Sequence, residues 1–292
     1  MAEITAALVK ELREMSGAGM MECKKALVAA NGDINQAMDD MRKAGQAKAD
    51  KKSGRTAAEG VVTIETSADH KRVVMIEVNS ETDFVARDTN FMGFVKELGL
   101  NVLKSSVSSF EEFSSVSLSN GESIELARQN LITKIGENVN IRRAKIIDTH
   151  GVIGSYVHSN RIGVIVDLEG GDANLAKDIA MHIAAASPMV ISPSEIPQEI
   201  VDKEKEIFLA QAEGSGKPKE IIEKMTEGRI RKFLEEVSLV GQAFVKNPEQ
   251  KVGDLLKAHK ASVKSFVRFE VGEGIEKVTV DFVKEVMEQA KA

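Results

Sequence analysis

A thirty-residue pattern occurs twice in this chain, and that recurrence limits its fold more than any other feature. Glu59 to Asp88 reads EGVVTIETSADHKRVVMIEVNSETDFVARD, and His150 to Asp178 reads HGVIGSYVHSNRIGVIVDLEGGDANLAKD, one residue shorter. Gly60 aligns with Gly151, Val74 with Val164, Ile76 with Val166, Val78 with Leu168, Ala86 with Ala176 and Asp88 with Asp178. Each copy runs from a two-residue apolar period through a turn and a second such run, then a polar loop and a helix start. That order predicts strand, hairpin, strand, helix. Two copies predict an α+β core of two related lobes, each a small antiparallel sheet backed by helices.

The remaining segments attach to this core. Three short helices are expected in the first fifty residues. Ile4, Ala7, Leu8, Glu11 and Leu12 mark the first, Met21, Cys23, Ala26 and Leu27 are the inward positions of the second, and Asp33 caps the third. The polar, basic run from Lys48 to Arg55 has no period and reads as a linker, leaving a detachable helical module over residues 1–54. Amphipathic stretches at Phe91–Val107 and Ser123–Ile135 and a strand at Asn140–Ile147 complete a first lobe over 55–149. The second lobe takes 150–191 and 236–274, with Ser262–Val271 closing its sheet. Between these parts lie two charged helices, Gln198–Ala212 and Pro218–Val237, whose short connection predicts a projecting antiparallel hairpin over 192–235. Asp281 to Ala290, with Phe282, Val283, Val286 and Met287 on one face, gives a carboxy-terminal helical module over 275–292.

Composition removes several functions. The net charge is −6 and aromatic residues make up 4% with no Trp, so neither a basic field nor a stacking platform for nucleic acid is expected. Hydrophobic residues are 42% of the chain, yet no apolar run reaches the ~20 residues of a membrane span. One cysteine, Cys23, excludes an internal disulfide and a cysteine-based zinc site. The charged start MAEITAALVKELREM is unlike a signal peptide, so a cytoplasmic protein without a membrane anchor is expected.

Catalytic chemistry finds no support in the residues. Glu213-Gly214-Ser215-Gly216-Lys217-Pro218 only imitates a phosphate loop, because Gln211 stands where its first glycine belongs and Pro218 where Ser or Thr would hold a metal. The five histidines lack ligand spacing, His182 reads as a core or rim residue, and Cys23 reads as structural. No catalytic residue, cofactor or metal site is expected. The segment Asn79-Ser80-Glu81-Thr82-Asp83-Phe84-Val85-Ala86 is the exception that asks for an explanation. Phe84 could be the first inward residue of a helix capped by Thr82 or Asp83, or a side chain displayed to another molecule. Its counterpart in the second copy is Asn174, so the scaffold does not need an aromatic ring there.

Two long segments resemble signatures of the bacterial elongation factor Ts family. They are Leu12-Arg13-Glu14-Met15-Ser16-Gly17-Ala18-Gly19-Met20-Met21-Glu22-Cys23-Lys24-Lys25-Ala26-Leu27 and Glu77 to Ala86. Gly136 to Arg143, Ile179 to Ala185 and Arg268 to Lys277 also resemble family segments, in the family's order. Ser16 departs from the expected Thr, and either hydroxyl would cap the next helix.

The resemblance implies a UBA-like (ubiquitin-associated-like) amino-terminal domain and a non-enzymatic protein, a guanine nucleotide exchange factor for the GTPase elongation factor Tu. It implies that Thr82, Asp83, Phe84 and Val85 disturb the partner's bound Mg2+, with Asp83 serving equally well as a helix cap. Arg13, Met20, Met21 and His158 become further partner contacts, one of the two methionines facing inward. The helical hairpin resembles the family's dimerisation element. Two other classes compete: a scaffold or chaperone whose binding ignores nucleotide state, and an enzyme.

Overall fold

The computed structural model describes residues 4–16, 18–213 and 218–276. The expected carboxy-terminal helix from Asp281 therefore lies outside the described residues, as do Gly17 and residues 214–217.

The first three helices are α1 (Ala6–Ser16), α2 (Met20–Ala29) and α3 (Ile34–Lys52). Val9, Leu12, Cys23, Leu27 and Ala37 form their common core, with Ile4, Leu8, Met38 and Met41 packed around it. Asp33 caps α3 by accepting from the Gln36 N–H at 3.0 Å. Four expectations change here. Ala7 and Glu11 point outward, and Val9 takes the inward place between Leu8 and Leu12. Met21 is exposed, because a residue two positions before Cys23 stands some 200° around the helix from it. Ser16 does not cap α2; Gly19 is the cap residue, and the Ser16 hydroxyl accepts from Ala18 N–H at 3.3 Å. Finally, the stretch expected as a linker is helical to Lys52, and Ala49 is buried. Lys, Asp and Ala are all acceptable in a helix, and tertiary packing against a neighbour outweighs the lack of an apolar stripe.

By packing, the chain divides into two compact units. The first comprises the residues through Thr63, Ile76–Lys145 and those from Glu270 onward; the second comprises Ile64–Met75 and Ile146–Phe269. The segment from Glu270, expected to end the second lobe, thus groups with the first unit. Strands β1 (Glu59–Thr66), β2 (Arg72–Ser80) and β3 (Val139–Asp148) form one sheet in that order, and β4 (Val152–His158), β5 (Ile162–Glu169) and β8 (Ser262–Glu270) form another.

In the first unit, α4 (Thr89–Lys104) buries Phe91, Phe94, Val95, Leu98 and Val102, a spacing of three and four that places them on one face. α5 (Ile124–Ile135) starts at Ser123, whose hydroxyl accepts from Leu126 N–H at 3.2 Å, and ends at the left-handed Gly136. α3 packs on α5, and the Lys52 ammonium donates to the Gly136 carbonyl.

In the second unit, β4 and β5 pair antiparallel with Val152 opposite Leu168 and His158 opposite Ile162. α6 (Ala173–Ala186) packs its Leu175, Ala176, Ile179, Ala180 and Ile183 on Val164, Val166 and Leu168. His182 sits in this layer, buried as expected. Its Nδ1 accepts from Val245 N–H at 3.2 Å and its Nε2 meets Gln242 Oε1 at 2.9 Å, so the neutral ring carries its proton on Nε2. Burial holds its pKa below the usual imidazole value against the opposing pull of Gln242. α7 (Gln198–Glu213) and α8 (Lys219–Val237) pack on each other, and the Arg229 guanidinium lies 5.7 Å from the Phe208 ring centre. The short strands β6 (Ala243–Phe244) and β7 (Asn247–Lys251) and helix α9 (Val252–Ala258) have no counterpart in the sequence reading.

The two copies share one backbone device. A Cβ on Gly60 would lie 2.2 Å from the Val78 carbonyl oxygen, and a Cβ on Gly151 would lie 2.2 Å from that of Leu168. Val78 and Leu168 are themselves an aligned pair, so the same close approach of backbone to glycine is built twice.

Candidate functional site

Where the copies differ is the segment after the second strand. In the second copy Asp172 accepts from Leu175 N–H at 2.9 Å and α6 begins at Ala173. Asp83 is the residue aligned with Ala173, yet α4 begins six residues later at Thr89. Between them the chain makes a single 3-10 turn, Val85–Arg87, with Arg87 N–H donating to Phe84 O at 3.1 Å and Asp88 N–H to Val85 O at 2.9 Å. Asp88 then caps α4, accepting from Asn90 N–H at 2.8 Å and Phe91 N–H at 3.2 Å. The Phe91 N–H, joined by Asn90 and outweighing a small cost of burial, holds the Asp88 carboxyl below the ordinary range.

Burial nonetheless follows the repeat through this altered stretch. Val85 and Ala86 are buried, as are their partners Leu175 and Ala176, while Phe84 and Asn174 are both exposed. Phe84 is 83% exposed, with φ −64° and ψ −46° in the unstrained right-handed region. Of the alternatives left open by the residues, packing of this ring into its own lobe is not what the fold does. Neither Thr82 nor Asp83 caps α4. Asp83 pairs instead with Arg87 at 3.1 Å on the surface, a contact of little energetic weight.

The loop is tied down at its beginning. Thr82 N–H donates to Glu137 Oε2 at 3.0 Å and Thr82 Oγ1 to Glu137 Oε1 at 2.7 Å. Asn138 N–H donates to Glu81 Oε1 at 2.6 Å, and Ser80 Oγ to Thr82 O at 2.9 Å. Glu137 precedes β3 and carries no periodic signal, so residue-by-residue reading passed over its role.

A second cluster was also missed, although an acid inside an apolar strand signalled it. Glu77 on β2 is fully buried, and a buried charge must be paired. Arg142 and Arg143 on β3 reach its two oxygens at 3.0 and 2.6 Å, and Gly272 N–H donates at 2.8 Å. Burial pushes its pKa up, but the Gly272 N–H and the two guanidinium groups outweigh that and leave it lowered. Arg143 also reaches Glu270 O and Glu273, and Arg142 reaches Glu273 O. Segments 136–143 and 268–277, noted separately in the sequence, therefore meet at one carboxylate.

The other expected contacts lie apart from this loop in the chain. Arg13, Met20 and Met21 are exposed, the methionines by 53% and 68%, so neither methionine is inward. His158 ends β4 at an exposed three-residue connection, Ser159 to Arg161, in which Ser159 and Asn160 both have positive φ, and its Nδ1 lies 3.1 Å from Tyr156 Oη. Among the described residues no group of three or more His, Cys, Asp or Glu could hold a metal ion, and no helix is long and apolar enough to cross a membrane.

The family model described as Elongation factor TS matches residues 81–273. Similar curated proteins include the Elongation factor Ts of Legionella pneumophila strain Philadelphia 1, 57% identical over 291 residues and covering 100% of both chains. Those of Francisella tularensis subsp. novicida and Alcanivorax borkumensis are 57% identical over 291 residues and 56% over 284; the latter covers 97% of this chain and 100% of its own. The chain belongs to the elongation factor Ts family. It is thereby placed among the translation elongation factors of protein biosynthesis. The stretch matched by the elongation factor Ts model begins at Glu81, so it includes the Phe84 loop, Glu137, the Arg142–Arg143 pair and His158, and it excludes α1–α3.

Proposed function

We propose that this elongation factor Ts family member is the guanine nucleotide exchange factor of elongation factor Tu. It would bind the GDP form, disturb the Mg2+ site and let GDP leave so that GTP can enter. The single observation that carries the proposal is the exposed ring of Phe84 on a loop tied to Glu137. A protein does not leave a Phe in water on a fixed loop for its own stability, since burying it would gain ~1.5–3 kcal/mol.

No bond is made or broken in this role, and no cofactor or metal of the chain's own is used. Exchange follows from linkage: a factor that binds the nucleotide-free GTPase more tightly must weaken nucleotide binding by the same factor. Weakening by ~10⁴ needs ~5.5 kcal/mol of differential affinity, more than one ring supplies. The rest comes from a wider interface that holds the ring in place. Arg13, Met20 and Met21 on a UBA-like amino-terminal domain, His158 at its hairpin tip and the carboxy-terminal module provide it, and α7 and α8 form a hairpin suited to a homodimer. The protein works in the cytoplasm without touching nucleic acid. Thr82, Asp83 and Val85 support Phe84 at the metal site.

The test is release of mant-GDP from purified elongation factor Tu. The wild-type chain should accelerate it strongly and Phe84→Ala weakly. Equal rates for the two would remove the ring from the mechanism, and binding indifferent to nucleotide would favour a scaffold.

A further inference from the structure

The Thr82–Glu137 contact has a geometry that helix capping does not require. In the second copy the aligned residue, Asp172, caps its helix alone through Leu175 N–H at 2.9 Å. Thr82 keeps a remnant of that bond, accepting from Val85 N–H at 3.4 Å, but its own amide and hydroxyl both point to the carboxylate of Glu137. Each oxygen of Glu137 takes one of these donors. Charged acceptors make the stronger hydrogen bonds, and two fixed bonds from one residue set direction as well as distance. Beside them, Asn138 N–H donates to Glu81, so two consecutive residues of the loop are fastened to two consecutive residues before β3.

We propose that Glu137 is a positioning residue for exchange, holding Thr82 so that the loop leaves the helical path of its counterpart and presents Phe84 outward. The inference rests on the exchange reading above and deepens it. Glu137 acts through Thr82 and the loop, and the Phe84 ring is what meets the GTPase. Without the carboxylate, Thr82 loses its anchor, the 3-10 turn is held by its own weak bonds, and the ring samples other directions. Binding energy then goes into ordering the loop rather than into the partner's metal site. Glu137→Gln is the sharp probe, because it keeps size and leaves one acceptor while turning a donor toward a donor.

The experiment uses the full-length chain and mant-GDP release from elongation factor Tu for wild type, Phe84→Ala, Glu137→Gln and the double variant. Glu112→Gln, which removes one negative charge from a residue bonded to Ser108 in another loop, controls for charge. Glu137→Gln should lower kcat/KM for exchange about tenfold, the scale of one lost charge-assisted hydrogen bond. The double variant should match Phe84→Ala, because a positioning residue has nothing to position once the ring is gone, whereas a general structural defect would multiply the two losses. Hydrogen exchange at the Thr82 amide should quicken in Glu137→Gln while the α4 amides stay protected. A slow Phe84→Ala beside a wild-type Glu137→Gln would overturn the positioning role alone, as would multiplied losses in the double variant. A wild-type rate for Phe84→Ala would overturn the exchange role of the ring, and this proposal with it.

Discussion

Gly272 donates its backbone N–H to the buried carboxylate of Glu77 at 2.8 Å across 195 residues of chain. With Arg142 and Arg143 on the same group, the bond fixes where the chain runs as it leaves β8. Removing the carboxylate takes from two guanidinium groups a fully buried counter-charge and leaves them their contacts with Glu270 and Glu273. Glu77→Gln should therefore destabilise the protein by about 3–5 kcal/mol, measured by urea unfolding. Because the folded-state pKa lies below the ordinary 4.5, the stability it gives is present above pH 4.5 and is lost as pH falls from there toward the folded value. The variant should lose less stability than wild type across that window.

Phe84 and Phe91 are seven residues apart and should respond oppositely to truncation. Phe91 is fully buried on α4, so Phe91→Ala should cost about 3–5 kcal/mol in stability. Phe84→Ala removes a ring already in water and should leave the unfolding free energy from urea titration within about 0.5 kcal/mol of wild type. A large loss from Phe84→Ala would mean that the ring supports its own lobe.

Gly60 and Gly151 can be tested as a pair. A methyl at either would meet a strand carbonyl at 2.2 Å, and Gly60 also sits at φ +137°, which suits glycine. Each Gly→Ala change should destabilise by about 1–3 kcal/mol, with Gly60→Ala the larger loss because it adds backbone strain to the shared clash with a strand carbonyl.

His182 predicts a pH response of its own. Its folded pKa is held below the model-peptide value of 6.5, so the unfolded chain takes up the proton first. Stability is complete above 6.5 and falls as pH drops toward the folded value, by at most about 1.4 kcal/mol per pH unit. His182→Gln should flatten the thermal midpoint between pH 6.5 and 5.

The strands and long helices were legible because their apolar residues recur at two or at three and four, and because the repeat supplied each lobe with a second reading. β3 and β8 fell where expected at the edges of the two sheets. What escaped was structure held by contacts distant in sequence. α3 continues through a polar run because it lies on α5, β6 is only two residues long, and β7, Asn-Pro-Glu-Gln-Lys, has no apolar alternation to announce it. At the site, the residue types around Phe84 left two readings open. Choosing between them needed the position of Asp88 as the true cap, and the role of Glu137 depends on a contact 55 residues along the chain.

The delay of α4 relative to α6 amounts to about 1.7 turns of helix that one half of the duplication has and the other lacks. Since Val85 and Ala86 are buried like Leu175 and Ala176, the unwound stretch is the same length of chain in another conformation, carried on an intact socket. Grafting residues 80–88 onto 170–178, together with an acid to stand in for Glu137, should give a chain that folds and holds out two aromatic fingers instead of one.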